Sequence, residues 1–140
     1  MKILLIDDDK DDQEIFCEAI RKVSNGIYCD IASNGQDALA LLESYPDHDM
    51  PELVFLDINM PIMDGRDTIT AIRARPRLKN LQIVMYSTSN NASEIIWFQQ
   101  MGAKFVTKPS DFELLVRVLK GLLKPGLQTF ERRESFINKL

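Results

Sequence analysis

Histidine and cysteine are scarce in this chain, and each scarcity excludes a chemistry. His48 is the single histidine, set in the polar stretch Pro46-Asp47-His48-Asp49. A zinc centre needs several converging His or Cys ligands, and a Ser-His-Asp triad needs its imidazole beside a nucleophile. His48 therefore reads as a solvated loop residue. Cys17 and Cys29 are too few for a disulfide framework and lack the CxxC spacing of zinc and redox sites. They read as small apolar residues of a reduced core. No apolar run approaches the ~20 residues of a membrane span. The start, MKILLIDDD, meets acids after four apolar residues, unlike a signal peptide. Basic residues are not in excess: 17 Lys and Arg against 21 Asp and Glu leave a net charge of −4. That balance disfavours nucleic acid as the main partner. These absences lead us to expect a cytoplasmic domain with no membrane span and no direct nucleic-acid contact.

What is present fits one globular domain. The chain has 140 residues, 45% of them hydrophobic and 27% charged, so it is neither disordered nor fibrous. Apolar clusters alternate between two periods. Ile3-Leu4-Leu5-Ile6, Leu53-Val54-Phe55-Leu56 and Ile83-Val84-Met85-Tyr86 are short runs without polar alternation, as expected of strands buried on both faces. Residues 27–32 and 104–107 are shorter candidates. Between them lie helical patterns. Ile15, Phe16, Ala19, Ile20 and Val23 share a face of a first helix, ended by Asn25-Gly26. Ala38, Leu39 and Leu42 mark a second, opened by Ser33-Asn34-Gly35. Ile69 and Ile72 mark a third, opened by Asp64-Gly65 and stopped before Pro76. Ile95, Ile96 and residues 98–101 mark a fourth, closed by Gly102. Leu115, Val118, Leu119 and Leu122 mark a fifth, with Ser110 as N-cap. Strand-helix alternation of this kind predicts a parallel sheet with helices on both faces.

In an open parallel sheet, ligands bind beyond the carboxyl ends of the strands. Asp7, Asp8 and Asp9 follow the first run, Asp57 the third, Ser87-Thr88-Ser89 the fourth and Lys108-Pro109 the fifth. Acids, hydroxyls and an ammonium thus converge on one edge from places distant in sequence. Asp57 stands where a buried strand runs out, so it stays ionised only beside a cation or hydrogen-bond donors. Asp7 and Asp8 would repel it unless a hard divalent cation such as Mg²⁺ lay between them. With Lys108 and the Ser87 hydroxyl, the set suits a carboxylate nucleophile that accepts a phosphoryl group. The acids also touch an EF-hand pattern at Asp7, Asp9, Asp11 and Glu18, but Asp12 occupies the glycine position and a strand precedes the loop. Asp9, Asp11 and Asp12 read instead as favouring the first helix through its dipole.

Asp7-Asp8, Asp57 in VFLDINMPIMDG, Ser87-Thr88 and Lys108-Pro109 together resemble the receiver domain of two-component response regulators over roughly residues 2–123. The long connection 73–80, Ser-Thr-Ser after the fourth strand and Lys-Pro-Ser-Asp-Phe after the fifth are similar to stand-alone receivers, of chemotaxis or phytochrome-associated type. The resemblance implies a flavodoxin-like (βα)5 fold, doubly wound, with strand order 2-1-3-4-5. It implies that Asp57 is the phosphoacceptor and that Asp7, Asp8, Asp57 and the Asn59 backbone carbonyl hold Mg²⁺. Ser87 and Lys108 would bind the phosphoryl oxygens, Ser87 and Phe105 would act as switch residues, and Lys108-Pro109 would carry a cis peptide bond. Gly65 would permit a tight turn. The implied partners are a sensor histidine kinase or phosphotransfer protein, and a downstream protein bound on the face of the fourth helix, fifth strand and fifth helix, with homodimerisation a further route of output. Residues 1–123 are then expected to be the receiver and 124–140 a tail too short for an output domain, in which Thr129 to Leu140 could form one short amphipathic helix. The expected role is signalling rather than enzymatic. A phosphorylation-independent interaction module is the alternative. An aspartate-nucleophile phosphohydrolase is disfavoured because Asn59 stands where such enzymes place their general acid.

Overall fold

The structure is a computed structural model that describes residues 1–123. The order is β1 (Lys2–Ile6), α1 (Lys10–Val23), β2 (Tyr28–Ala32), α2 (Gly35–Ser44), β3 (Leu53–Leu56), α3 (Gly65–Ala74), β4 (Ile83–Ser87), α4 (Ala92–Gln100) and β5 (Lys104–Thr107). Residues 112–123 form α5. The expected helix at Thr129 to Leu140, and the tail as a whole, lie outside the described residues. One parallel five-stranded sheet runs in the order β2-β1-β3-β4-β5, as expected.

Alternation along the central strands explains the two layers of helices. Successive side chains of a strand point to opposite faces. Leu4, Ile6, Val54, Leu56, Ile83 and Met85 pack on one side with residues of α2, α3 and α4. Ile3, Leu5, Phe55, Val84 and Tyr86 pack on the other with α1 and α5. Continuous apolar runs are thus required wherever helices cover both faces. On the α1/α5 side Phe16 meets Phe55 edge-on, with centroids 4.9 Å apart, and Tyr86 at 5.5 Å. Such pairs add about 0.5–1.5 kcal/mol each beyond area burial.

Helix starts are fixed by short polar side chains in the connections that precede them. Asp9, Asn34, Asp64 and Asn91 are the N-caps of α1 to α4, and each accepts a backbone N–H three residues on. A cap of this kind contributes about 1 kcal/mol. Several local expectations are corrected. Asp111, not Ser110, opens α5, with its carbonyl accepting from Leu115 N and its carboxylate from Glu113 N. Extended Ser24 ends α1 before Asn25-Gly26 is reached. Ile15 and Ile96, expected in the core, are 45% and 54% exposed. The core-facing stripes of α1 and α4 are narrower than the apolar stripes of their sequences.

The connection after α3 is held by arginines. Arg73 donates to the carbonyls of Met101 at 2.8 Å, Lys79 at 2.9 Å and Leu81 at 2.8 Å. Arg77 bonds Glu43, Asp47 and the Tyr45 carbonyl on the neighbouring α2 end. These bonds clamp Leu78 into the core and dock the long 73–80 connection against the rest of the domain.

Candidate functional site

Three strands, β1, β3 and β5, each deliver a polar residue immediately after their last residue. Asp7 N donates to Ala32 O at 3.1 Å, Asp57 N to Ile6 O at 3.0 Å and Lys108 N to Ser87 O at 2.8 Å. The three side chains are therefore set by the sheet itself rather than by flexible loops. Asp7 and Ser87 are fully buried and Asp57 is nearly so. Asp8 and Asn59 are exposed on the same open cleft of about 570 Å³, together with Thr88, Lys108 and the start of α1.

Lys108 is the electrostatic centre. Its ammonium lies 2.8 Å from Asp7 Oδ2, 2.9 Å from Asp12 Oδ2 and 3.4 Å from Asp57 Oδ2, and 5.3 Å over the Tyr86 ring. Burial alone would push its pKa down. The hydrogen bonds to Asp7 and Asp12 and the charges of Asp57 and Asp7 outweigh burial and raise it. Asp7 shows the opposite balance: desolvation dominates and lifts its pKa, against the lowering effects of Lys108 and of the Asp9 N–H, which it accepts at 3.0 Å. Asp57 Oδ1 accepts from Ile58 N at 2.8 Å.

One cation is therefore shared among three carboxylates. Asp7, Asp8 and Asp57 each offer an oxygen within 4.8 Å of the others. This all-oxygen donor set, crowded and only partly neutralised by Lys108, fits a hard divalent cation.

Among the expected site residues, the structure brings together Asp7, Asp8, Asp57 and Lys108, with Asn59 on the same cleft and Ser87 at the adjoining strand end. Phe105 lies apart from the carboxylates. It is half-buried in β5, with its ring 6.2 Å from that of Phe98 on α4. The expected cis bond at Lys108-Pro109 is not found: no cis peptide occurs among the described residues. The trans form is intrinsically favoured by about 0.5–1 kcal/mol before proline, and Lys108 already reaches its carboxylates with it. Gly65 also serves a different purpose from the expected tight turn. It opens α3 and donates to Ile58 O at 2.8 Å, and a Cβ there would lie 2.6 Å from the Asp57 carbonyl oxygen. Glycine is needed for close approach to the backbone of Asp57.

Two residues were missed by sequence reasoning. Asp12, read only as a helix-dipole acid, reaches Lys108. Gln13 donates to the Asp7 carbonyl at 2.6 Å and to Ser33 Oγ at 3.2 Å, bracing the acid loop. The usable signal was their place in the first turn of a helix capped by Asp9, which faces the strand ends. Ile62, between Pro61 and Met63, has φ of 71° and is 87% exposed, a conformation rare for a β-branched residue.

A family model for the response regulator receiver domain matches residues 3–120. The response regulator Rcp1 of Synechocystis sp. is 28% identical over 131 residues, spanning 91% of this chain and 89% of its own. The crystal structure of the phosphorylated cyanobacterial phytochrome response regulator RcpA superposes with a TM-score of 0.80 at 29% identity, over 91% of this chain and 94% of that one. The Mn(2+)-bound form of Rcp1 gives a TM-score of 0.75 at 27% identity, over 87% and 91%.

Proposed function

The chain belongs to the response regulator receiver domain family, and we propose that it is a single-domain response regulator phosphorylated on Asp57. The observation that carries this reading is the convergence of Asp7 and Asp57 within hydrogen-bonding reach of the Lys108 ammonium at the sheet edge. Receivers of this family take phosphoryl groups from histidine kinases. The partner upstream is accordingly a sensor kinase or phosphotransfer protein that presents a phosphohistidine.

In this reading an Asp57 carboxylate oxygen attacks the phosphorus as the P–N bond to the donor histidine breaks, giving an aspartyl phosphate and a free imidazole. Lys108 exchanges a carboxylate for a phosphoryl oxygen at small geometric cost, since its ammonium is already 3.4 Å from Asp57 Oδ2. The buried Ser87 hydroxyl, which accepts from Ser89 N at 3.3 Å, turns to donate to the phosphoryl group. Asp7, Asp8, Asp57 and the Asn59 carbonyl would hold Mg²⁺, which when bound offsets the charge of the carboxylates and the phosphoryl group. Movement of Ser87 toward the new anion opens space that the half-buried Phe105 ring can enter, altering the α4-β5-α5 face for a protein target. Residues 1–123 act as the receiver in this scheme.

Beryllofluoride, a phosphoryl mimic, tests it. With Mg²⁺ it should shift the amide resonances of Asp57, Ser87, Thr88, Phe105 and Lys108, and leave Asp57→Asn unchanged. An unaltered wild-type spectrum would favour an interaction module that works without phosphorylation.

A further inference from the structure

A second cluster of reactive side chains lies away from the phosphoacceptor. Cys17 on α1 and Cys29 on β2 have their sulfur atoms 3.9 Å apart, in van der Waals contact. Both thiols are free and half-buried. Among the described residues β2 is an edge strand, paired on one side only, with β1. A disulfide bond is about 2.05 Å long, so the two atoms must close by a further ~2 Å. Cys17 lies midway along α1, beside the buried Phe16, so the closing movement falls to the edge strand, the part of a sheet domain best able to yield it.

The two cysteines differ in access. A surface cavity of about 330 Å³ opens beside Cys17, lined by Glu14, Glu18 and Arg21, whereas Cys29 does not line it. Burial, reinforced by the neighbouring Cys17 and by Asp30, pushes the Cys29 thiol up. Cys17 is thus the thiol that a solute meets first, and Cys29 is held against it as the second. Two carboxylates against one guanidinium make the cavity unfavourable for an anionic oxidant such as glutathione disulfide, while a small neutral one is not repelled.

We propose that Cys17 and Cys29 form a dithiol site that hydrogen peroxide oxidises to an intramolecular disulfide joining α1 to β2. The Cys17 thiolate attacks one peroxide oxygen; the O–O bond breaks, and the departing hydroxide takes a proton to leave as water. Cys17 becomes a sulfenic acid. Cys29 then gives up its proton and attacks Cys17 Sγ; the S–S bond forms, the S–O bond breaks, and a second water leaves. Two thiols are oxidised, one peroxide is reduced, and two waters are released. The proximity of Cys29 makes resolution faster than further oxidation of Cys17.

The test is to treat the full chain with hydrogen peroxide, quench, unfold, alkylate with iodoacetamide and weigh it without reductant. The expected result is a monomer lighter by two hydrogens, with neither cysteine alkylated, a Cys17–Cys29 disulfide in the digest, and full alkylation restored by dithiothreitol. In Cys29→Ser the same treatment should leave Cys17 as a sulfenic acid that dimedone captures. Alkylation of both cysteines after treatment, a disulfide between two chains, or sulfinic acid on Cys17 of the wild type would each overturn the proposal. The wild-type result decides by itself if the serine variant does not fold.

Discussion

Asp12 and Lys108 are joined by an ion pair of 2.9 Å, although Asp12 belongs to the first turn of α1 and Lys108 follows β5. The pair gives the central ammonium a carboxylate partner outside the proposed metal-binding set. Asp12 is 39% exposed and Lys108 10%, so the pair is worth little to stability, within about 1 kcal/mol. In the proposed reaction its effect falls on the chemistry, because Asp12 would compete with an incoming phosphoryl group for Lys108 and repel anionic donors. Asp12→Asn should therefore accelerate phosphorylation by acetyl phosphate about fivefold, the equivalent of about 1 kcal/mol. Initial rates of phosphoryl incorporation check this, and a slower variant would contradict it.

Asp7 supplies a pH signature. Desolvation raises its pKa in the folded state, so the fold binds this proton more tightly than the unfolded chain does. The contribution of Asp7 to stability is then most favourable below the ordinary carboxylate value and declines as pH rises through the raised one. Asp7→Asn should stabilise the metal-free protein at pH 7 and flatten this part of the profile. Urea unfolding with chelator between pH 4 and 7 measures both effects. An equal slope in wild type and variant would contradict them.

Divalent cation should stabilise the folded wild type by relieving the same crowding. At a hundredfold excess over its dissociation constant, Mg²⁺ should add about 2.7 kcal/mol. Thermal unfolding with and without Mg²⁺ should show a rise in midpoint that is lost in Asp7→Asn and reduced in Asp57→Asn. An identical rise in all three proteins would place the ion elsewhere.

Gly65 and Ile62, three residues apart, make opposite predictions. Adding a Cβ at Gly65, 2.6 Å from the Asp57 carbonyl oxygen, must push the Asp57 backbone aside. Gly65→Ala should cost about 1–3 kcal/mol and slow phosphorylation. Ile62 holds φ of 71° with its side chain 87% exposed, so Ile62→Asn should relieve strain and stabilise by about 1 kcal/mol. Chemical denaturation of the two variants checks both signs.

The sheet was legible because β1, β3 and β4 are covered on both faces and so leave uninterrupted apolar runs. The site was legible for a related reason. Asp7 and Asp57 follow two of those runs directly, Lys108 follows the shorter β5, and topology brings the ends of parallel strands together. What escaped depended on side-chain direction. Asp12 lies in a helix turn where the dipole already accounts for an acid, and only the three-dimensional course of α1 turns it toward Lys108. Ile15 and Ile96 carry the helical period of core residues, yet they fall at the edge of their stripes and remain exposed. The Cys17–Cys29 contact joins elements whose packing angle no local pattern encodes. The isomer at Lys108-Pro109 likewise has no local signature, since proline accommodates both forms.

The most direct measurement is the intact mass of the protein after incubation with acetyl phosphate and Mg²⁺, run beside Asp57→Asn. One added phosphoryl group, absent from the variant and absent without magnesium, is the expected result. An unmodified wild type, or a variant that gains the same mass, would contradict the assignment of Asp57 as phosphoacceptor.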